Sequence, residues 1–154
     1  MAFSTRFCLD GLSYRPKLEA GALLGLGMRL DANDMNRLAK CLWSVAAQEA
    51  EETQVAVAWL AHNLIKREGL SVEESCARVR LLWSDGVPHL DACREFDDRK
   101  FCRAFAILCQ VWAGDRGDPT AGATNAHRHD ESPVWAETAS ATALIGPWIF
   151  YRAN

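Results

Sequence analysis

The residues best suited to chemistry gather between Gly114 and Asp130, where Asp115, Asp118, His127, His129 and Asp130 stand among glycines and a proline. That stretch is too irregular for one helix, and irregular chain in a small domain marks a turn or a site. His127 and His129 are two residues apart, so on a strand they share a face. With Asp130 and His62 they supply metal-ligand chemistry in principle, but no HExxH-like spacing supports it, and no metal is expected. Asp118-Pro119-Thr120 is a turn-forming triplet. A second acidic cluster, Glu49-Ala50-Glu51-Glu52, falls between two helical patterns, where the positive end of a helix dipole favours carboxylates.

The elements that must position these groups are mostly helices. Asn33 or Asp34 can cap a first helix with Met35, Leu38, Cys41, Leu42 and Val45 on its apolar face, ending near Gln48. Thr53 can cap a second, with Val57, Leu60, Ala61 and Leu64 inward, Trp59 alongside, and Lys66, Arg67 and Gly69 at its end. Ser71 and Glu74 form a capping box for a third, with Cys76, Val79 and Leu82 or Trp83 inward. Ser84–Pro88 is a turn. A fourth starts at Asp97 or Asp98, carries Phe101, Phe105, Leu108 and Trp112, and stops at Gly114. Short strands are expected around 123–127 and 145–151, pairing as an antiparallel ribbon. The expectation is an α+β, mostly helical single domain over 31–154, preceded by a glycine-containing arm over 1–30.

Composition narrows the class. The chain has 154 residues, 49% of them hydrophobic and 24% charged, enough for a core and not the balance of a disordered chain. A net charge of −3 without a Lys/Arg block argues against nucleic acid. Six cysteines make an even count, yet no CxxC pair occurs and several fall on apolar helix faces, so reduced thiols are expected. No histidine-paired motif accompanies them, which argues against a thiol nucleophile. The N-terminus has no signal-peptide pattern, and Leu23–Leu30 is too short to span a bilayer. Synthesis in the cytoplasm is expected, with no transmembrane segment.

From Gly114 to Arg152 the sequence resembles the C-terminal part of the SleB/CwlJ family of cell wall hydrolases. The likeness is carried by Asp118-Pro119-Thr120, Gly122-Ala123-Thr124, His127, Pro133-x-Trp135-Ala136, Ile145-Gly146 and Phe150-Tyr151-Arg152. Upstream, Leu38-Ala39-Lys40-Cys41-Leu42-Trp43 and Gln54-Val55-Ala56-Val57-Ala58-Trp59, with Asn63, resemble the family's first two helices. The resemblance spans roughly 34–152.

It implies a compact lysozyme-like fold and cleavage of peptidoglycan glycan strands, in many members as lytic transglycosylases, with no cofactor. A glutamic acid protonates the glycosidic oxygen, and the sugar's own N-acetyl or 6-hydroxyl group completes the reaction, so one carboxyl suffices where most glycosidases use two. Such an acid needs a raised pKa, supplied by desolvation. By the same resemblance Glu49 is the candidate acid, while Asn63, Asp118, Thr120, His127 and Trp135 are candidate substrate-binding residues. Trp135, Trp148 and Tyr151 either stack on sugar faces or belong to the core. The sequence departs from the family at its helix junction, where a Glu-Ala-x-Gly-Glu pattern is usual. Aligned without gaps, the first glutamate falls on Val45 and the second on Glu49, and Leu64 replaces an arginine after Asn63. Two readings stay open: an enzyme working through Glu49, or a degenerate, structural or glycan-binding member such as a phage-like particle component. Without a signal peptide, either would reach the wall after lysis or holin-type release, or within a particle.

Overall fold

The computed structural model describes residues 29–83 and 97–153, with Trp83 described by its backbone alone. Nearly all of the arm expected over 1–30, the Ser84–Pro88 turn, Cys8 and Cys93 lie outside the described residues. Within them the fold is α+β and mostly helical, with four helices followed by a small antiparallel sheet.

Helix α1 (Ala32–Ala46) begins one or two residues before the expected cap. Asp31 and Asp34 share that role: Asp31 Oδ1 accepts from the Asp34 N–H at 2.8 Å, and Asp34 Oδ2 accepts from the Asp31 N–H at 3.2 Å. Two orphan amides are satisfied at once. Leu38, Ala39, Cys41, Leu42 and Ala46 form the buried face, with Met35 and Val45 at its margin.

Helix α2 (Glu51–Arg67) is the axis of the domain, buried on most sides from Thr53 through Ile65. A helix covered by α1, on one side, and two further helices and the sheet on others loses its polar face, which explains why its sequence reads as near-continuous apolar chain. Thr53 is not the cap. It is buried in the first turn, Ala50 takes the cap position without a side-chain bond, and Glu51 and Glu52 complement the dipole.

Helix α3 (Val72–Trp83) opens with the expected box: Glu74 Oε2 accepts from the Ser71 N–H at 2.8 Å, and Ser71 Oγ accepts from the Glu74 N–H at 3.2 Å. Ser75, fully buried, donates to the Ala61 carbonyl and ties α3 to α2. Helix α4 (Asp98–Ala113) is capped by Asp97 and ended by Gly114 at φ +77°, a left-handed conformation that glycine adopts without penalty. Its buried stripe runs through Ala104, Ile107, Leu108 and Val111. Of the aromatic residues that α4 carries, Phe105 therefore lies on the rim, and Phe101 and Trp112 are only partly covered.

The sheet has three strands where the sequence suggests two: β1 (Asn125–Arg128), β2 (Ser140–Ile145) and β3 (Trp148–Arg152), in the order β1-β3-β2. A 3-10 turn over Val134–Glu137 precedes β2. The 145–151 segment is not one strand, because Gly146 at φ +54° and Pro147 reverse the chain inside it. Ala126, Ile145, Trp148 and Phe150 join the helical core. Side chains alternate along strands, so His127, Ile149 and Tyr151 stand on the opposite face, away from the helices.

Candidate functional site

The Asp-Pro-Thr loop is a closed polar network. Asp118 Oδ1 accepts from the Thr120 N–H at 2.8 Å and the Thr120 hydroxyl at 2.6 Å. Its Oδ2 accepts from the Gly122 N–H at 2.8 Å and from Asn63 Nδ2 at 3.1 Å. Asn63 Nδ2 also donates to the Ala123 carbonyl at 3.1 Å and lies 3.4 Å from Thr120 Oγ1. Burial opposes ionisation of Asp118, but these donors outweigh it and hold its carboxyl below the ordinary aspartate value. Thr120 is fully buried, and its carbonyl accepts the Thr142 hydroxyl at 2.7 Å. Thr142 occupies the register break of β2 between Ala141 and Ala143, where a bulge turns its side chain toward the loop. Gly122 has φ +82°, a backbone conformation that favours glycine, and a Cβ there would lie 2.6 Å from the Arg67 guanidinium, so any larger residue would have to displace that side chain.

His127 belongs to a separate cluster. Its Nδ1 lies 2.6 Å from the Arg128 carbonyl and its Nε2 2.9 Å from the Tyr151 hydroxyl. A carbonyl only accepts, so Nδ1 carries a hydrogen and donates it to the Arg128 carbonyl, while Nε2 is paired with the Tyr151 hydroxyl. The two rings stack at 5.1 Å, and Trp135 meets both edge-on at 5.6 and 5.3 Å. His127 and Tyr151 are buried, whereas Trp135 is 37% exposed. Trp148 sits on the other face, in the core.

Glu49 lies at the α1–α2 junction, half-buried. The surrounding chain is pinned from several sides: Gln54 Nε2 donates to the Glu49 carbonyl at 2.9 Å, and Lys100 Nζ to Gln48 Oε1 at 2.9 Å. Glu51 accepts from both Arg103 (2.6 Å) and Arg116 (2.7 Å), and these bonds, from Arg116 first, lower its carboxyl pKa. The Glu49 carboxylate itself has no hydrogen-bond or ion-pair partner among the described residues. Val45 points to the margin of the core, packed against it.

The candidate residues thus occupy three places. Asn63, Asp118 and Thr120 come together. His127 and Trp135 come together with Tyr151 on the outer sheet face. Glu49 stands apart, since Asn63 lies about 18 Å along α2 from Glu51 at 1.5 Å per residue. The β2–β3 turn is nearer to Glu49, because a Cβ on Gly146 would approach Thr53 Oγ1 to 3.1 Å. Among the described residues no group of three or more His, Cys, Asp or Glu side chains is placed to hold a metal ion. His62 is held instead between Trp59 and Trp112, edge to ring at 4.7 and 5.0 Å, and burial lowers its pKa.

Sequence reasoning missed Thr142, Arg103 and Arg116. A bulge leaves no local pattern, and the two arginines reach Glu51 only once α4 and its following loop are packed. No family model matches this sequence, and neither the curated proteins nor the solved structures contain a significant match to it. No helix among the described residues is long and apolar enough to cross a membrane.

Proposed function

We propose that this protein acts on peptidoglycan glycan strands in the manner of the SleB/CwlJ hydrolases, cleaving a β-1,4 glycosidic bond with Glu49 as general acid. The observation that carries the reading is the bonding of Asn63 to Asp118 and to the Ala123 carbonyl. Those residues come from the two separate stretches that bear the resemblance, and a chance likeness in each gives no reason for them to meet. Glu49 supports the chemical part. Its carboxyl has no partner among the described residues while the chain around it is fixed, which leaves it available to reach a glycosidic oxygen. Trp135, edge-on to the His127–Tyr151 stack and partly exposed, offers a ring to a pyranose face. Asp118 and Thr120 act as shapers of the loop, since their polar atoms are engaged with the protein.

Incubation with purified sacculi tests this. Soluble muropeptides are expected from the unaltered chain and at least 100-fold fewer from Glu49→Gln, with an unchanged circular dichroism spectrum. Undiminished release by Glu49→Gln removes Glu49 from the role. A second reading, a glycan-binding or particle-borne structural protein without turnover, is favoured by Val45, a packed valine at the first family glutamate position. It predicts co-sedimentation with sacculi, reduced by Trp135→Ala, and no release.

A further inference from the structure

Two thiols buried between α1 and α3 take no part in that reading. Cys41 Sγ lies 3.6 Å from the Cys76 carbonyl oxygen, and Cys76 Sγ lies 4.0 Å from the Arg37 carbonyl oxygen, one turn before Cys41. Each sulfur thus reaches the helical turn that carries the other, which sets the two thiols side by side between the helices. Both are free thiols. Each has an arginine four residues away on its own helix, Arg37 beside Cys41 and Arg80 beside Cys76. The buried Nε of Arg80 has no hydrogen-bond partner among the described residues. A guanidinium held beside a thiol favours its thiolate.

The two thiols are not equivalent. The neighbouring Cys41 side chain, helped by Arg80 and Arg37, holds Cys76 below the ordinary thiol value despite burial. The neighbouring Cys76 side chain, and then burial, push Cys41 well above it. Cys109, by contrast, is raised by burial alone.

We propose that Cys41 and Cys76 are a redox pair that closes into a disulfide joining α1 to α3. The oxidant is a low-molecular-weight disulfide, RSSR. The Cys76 thiolate attacks one of its sulfurs, forming Cys76–S–S–R and releasing RS⁻, which takes up a proton. Cys41 then loses its proton and attacks Cys76 Sγ, forming the Cys41–Cys76 bond and releasing the second RS⁻. Two thiols are oxidised and one RSSR is reduced to two RSH. Entry requires local opening of α3, whose buried side chains among the described ones are Val72, Ser75, Cys76 and Val79. Once α3 recloses, the bond is shielded from exchange. The closed form constrains the unfolded chain and braces the helix leading into the Glu49 junction.

The full-length reduced chain is titrated with mixtures of oxidised and reduced glutathione, then analysed by intact mass, peptide mapping and thermal melting. The expected product is a monomer lighter by two hydrogens, with Cys41 and Cys76 peptides linked. Its Tm is higher by roughly 10 °C and returns on reduction. Cys41→Ala and Cys76→Ala each abolish the link; because the link is mapped first in the unaltered chain, poor folding of a variant does not decide the outcome. The proposal is overturned if excess oxidised glutathione yields no internal link, or links Cys8, Cys93, Cys102 or Cys109 instead. Glutathione retained on Cys76 without closure overturns it equally. None of these results depends on whether the chain acts on glycans.

Discussion

At the C-terminal end of α2, Asp118 has both carboxylate oxygens engaged by four donors, while at the N-terminal end Glu49 has a fixed backbone and a carboxylate without a partner among the described residues. One end of the helix uses its polar groups to hold a shape, and the other leaves one over. Substitutions at the first end should therefore register as stability, and at the second as function. Asn63→Ala is expected to have the largest effect. It removes a buried side chain that joins Asp118 and the Ala123 carbonyl, leaving a carboxylate oxygen and a carbonyl short of a donor. A loss of about 3 kcal/mol is expected, read as a lower urea midpoint with an unchanged slope.

The same end should be the more sensitive to acid. The folded-state pKa of Asp118 is depressed, so its contribution is complete above the unfolded value of about 3.9 and is lost as pH falls through the lower folded value. Urea midpoints measured downward from pH 5 should fall more steeply in the unaltered chain than in Asp118→Asn. Parallel curves would mean that the network is not held by charge.

Gly122→Ala probes the contact between loop and helix. The left-handed backbone and the Arg67 guanidinium both oppose a Cβ, and together they should cost about 1–2 kcal/mol. Arg67 lies at the exposed end of α2 and its side chain can move, so Arg67→Ala in the same chain should recover the steric part and leave the backbone strain. Full recovery would mean that the positive φ carries no penalty here.

Legibility in the sequence follows the same division. The Ser71–Glu74 box, the Asp97 cap and the Gly114 stop could be read because each is decided by residues within four positions of one another. The inward face of α4 could not. Phe101, Phe105, Leu108 and Trp112 have good helical spacing, but the helix turns its smaller Ala104 inward, and only packing against α1 reveals that. Strand β2 was hidden for a related reason. Ser140-Ala141-Thr142-Ala143 has little β preference, and pairing with β3 supplies what propensity does not. The Asp118 loop stood out through its residue types, but its closure by Asn63 joins positions 55 apart and has no local signature. Glu49 and Glu51 looked alike as members of one acidic run; α4 and the following loop separate them by giving two arginines to one and none to the other.

That separation yields the smallest expected effect and the finest test of the comparison. Glu51 lies at the same end of α2 as Glu49, yet it is engaged in the way Asp118 is, so it shows whether engagement or location decides what a carboxylate contributes. Both of its arginine pairs lie at the surface, where water and salt weaken them. Glu51→Gln should lower the Tm only slightly in dilute buffer, and the difference should vanish in 1 M salt. The pKa of Glu51 is also depressed, so its small contribution is present above the ordinary glutamate value and fades as pH falls through the lower folded one. If Glu51→Gln leaves stability nearly unchanged but reduces muropeptide release at low salt, its arginine pairs act by holding the junction that presents Glu49. If release is unaffected, the Gln54 and Lys100 bonds suffice to hold that junction, and Glu51 is no more than a surface ion pair.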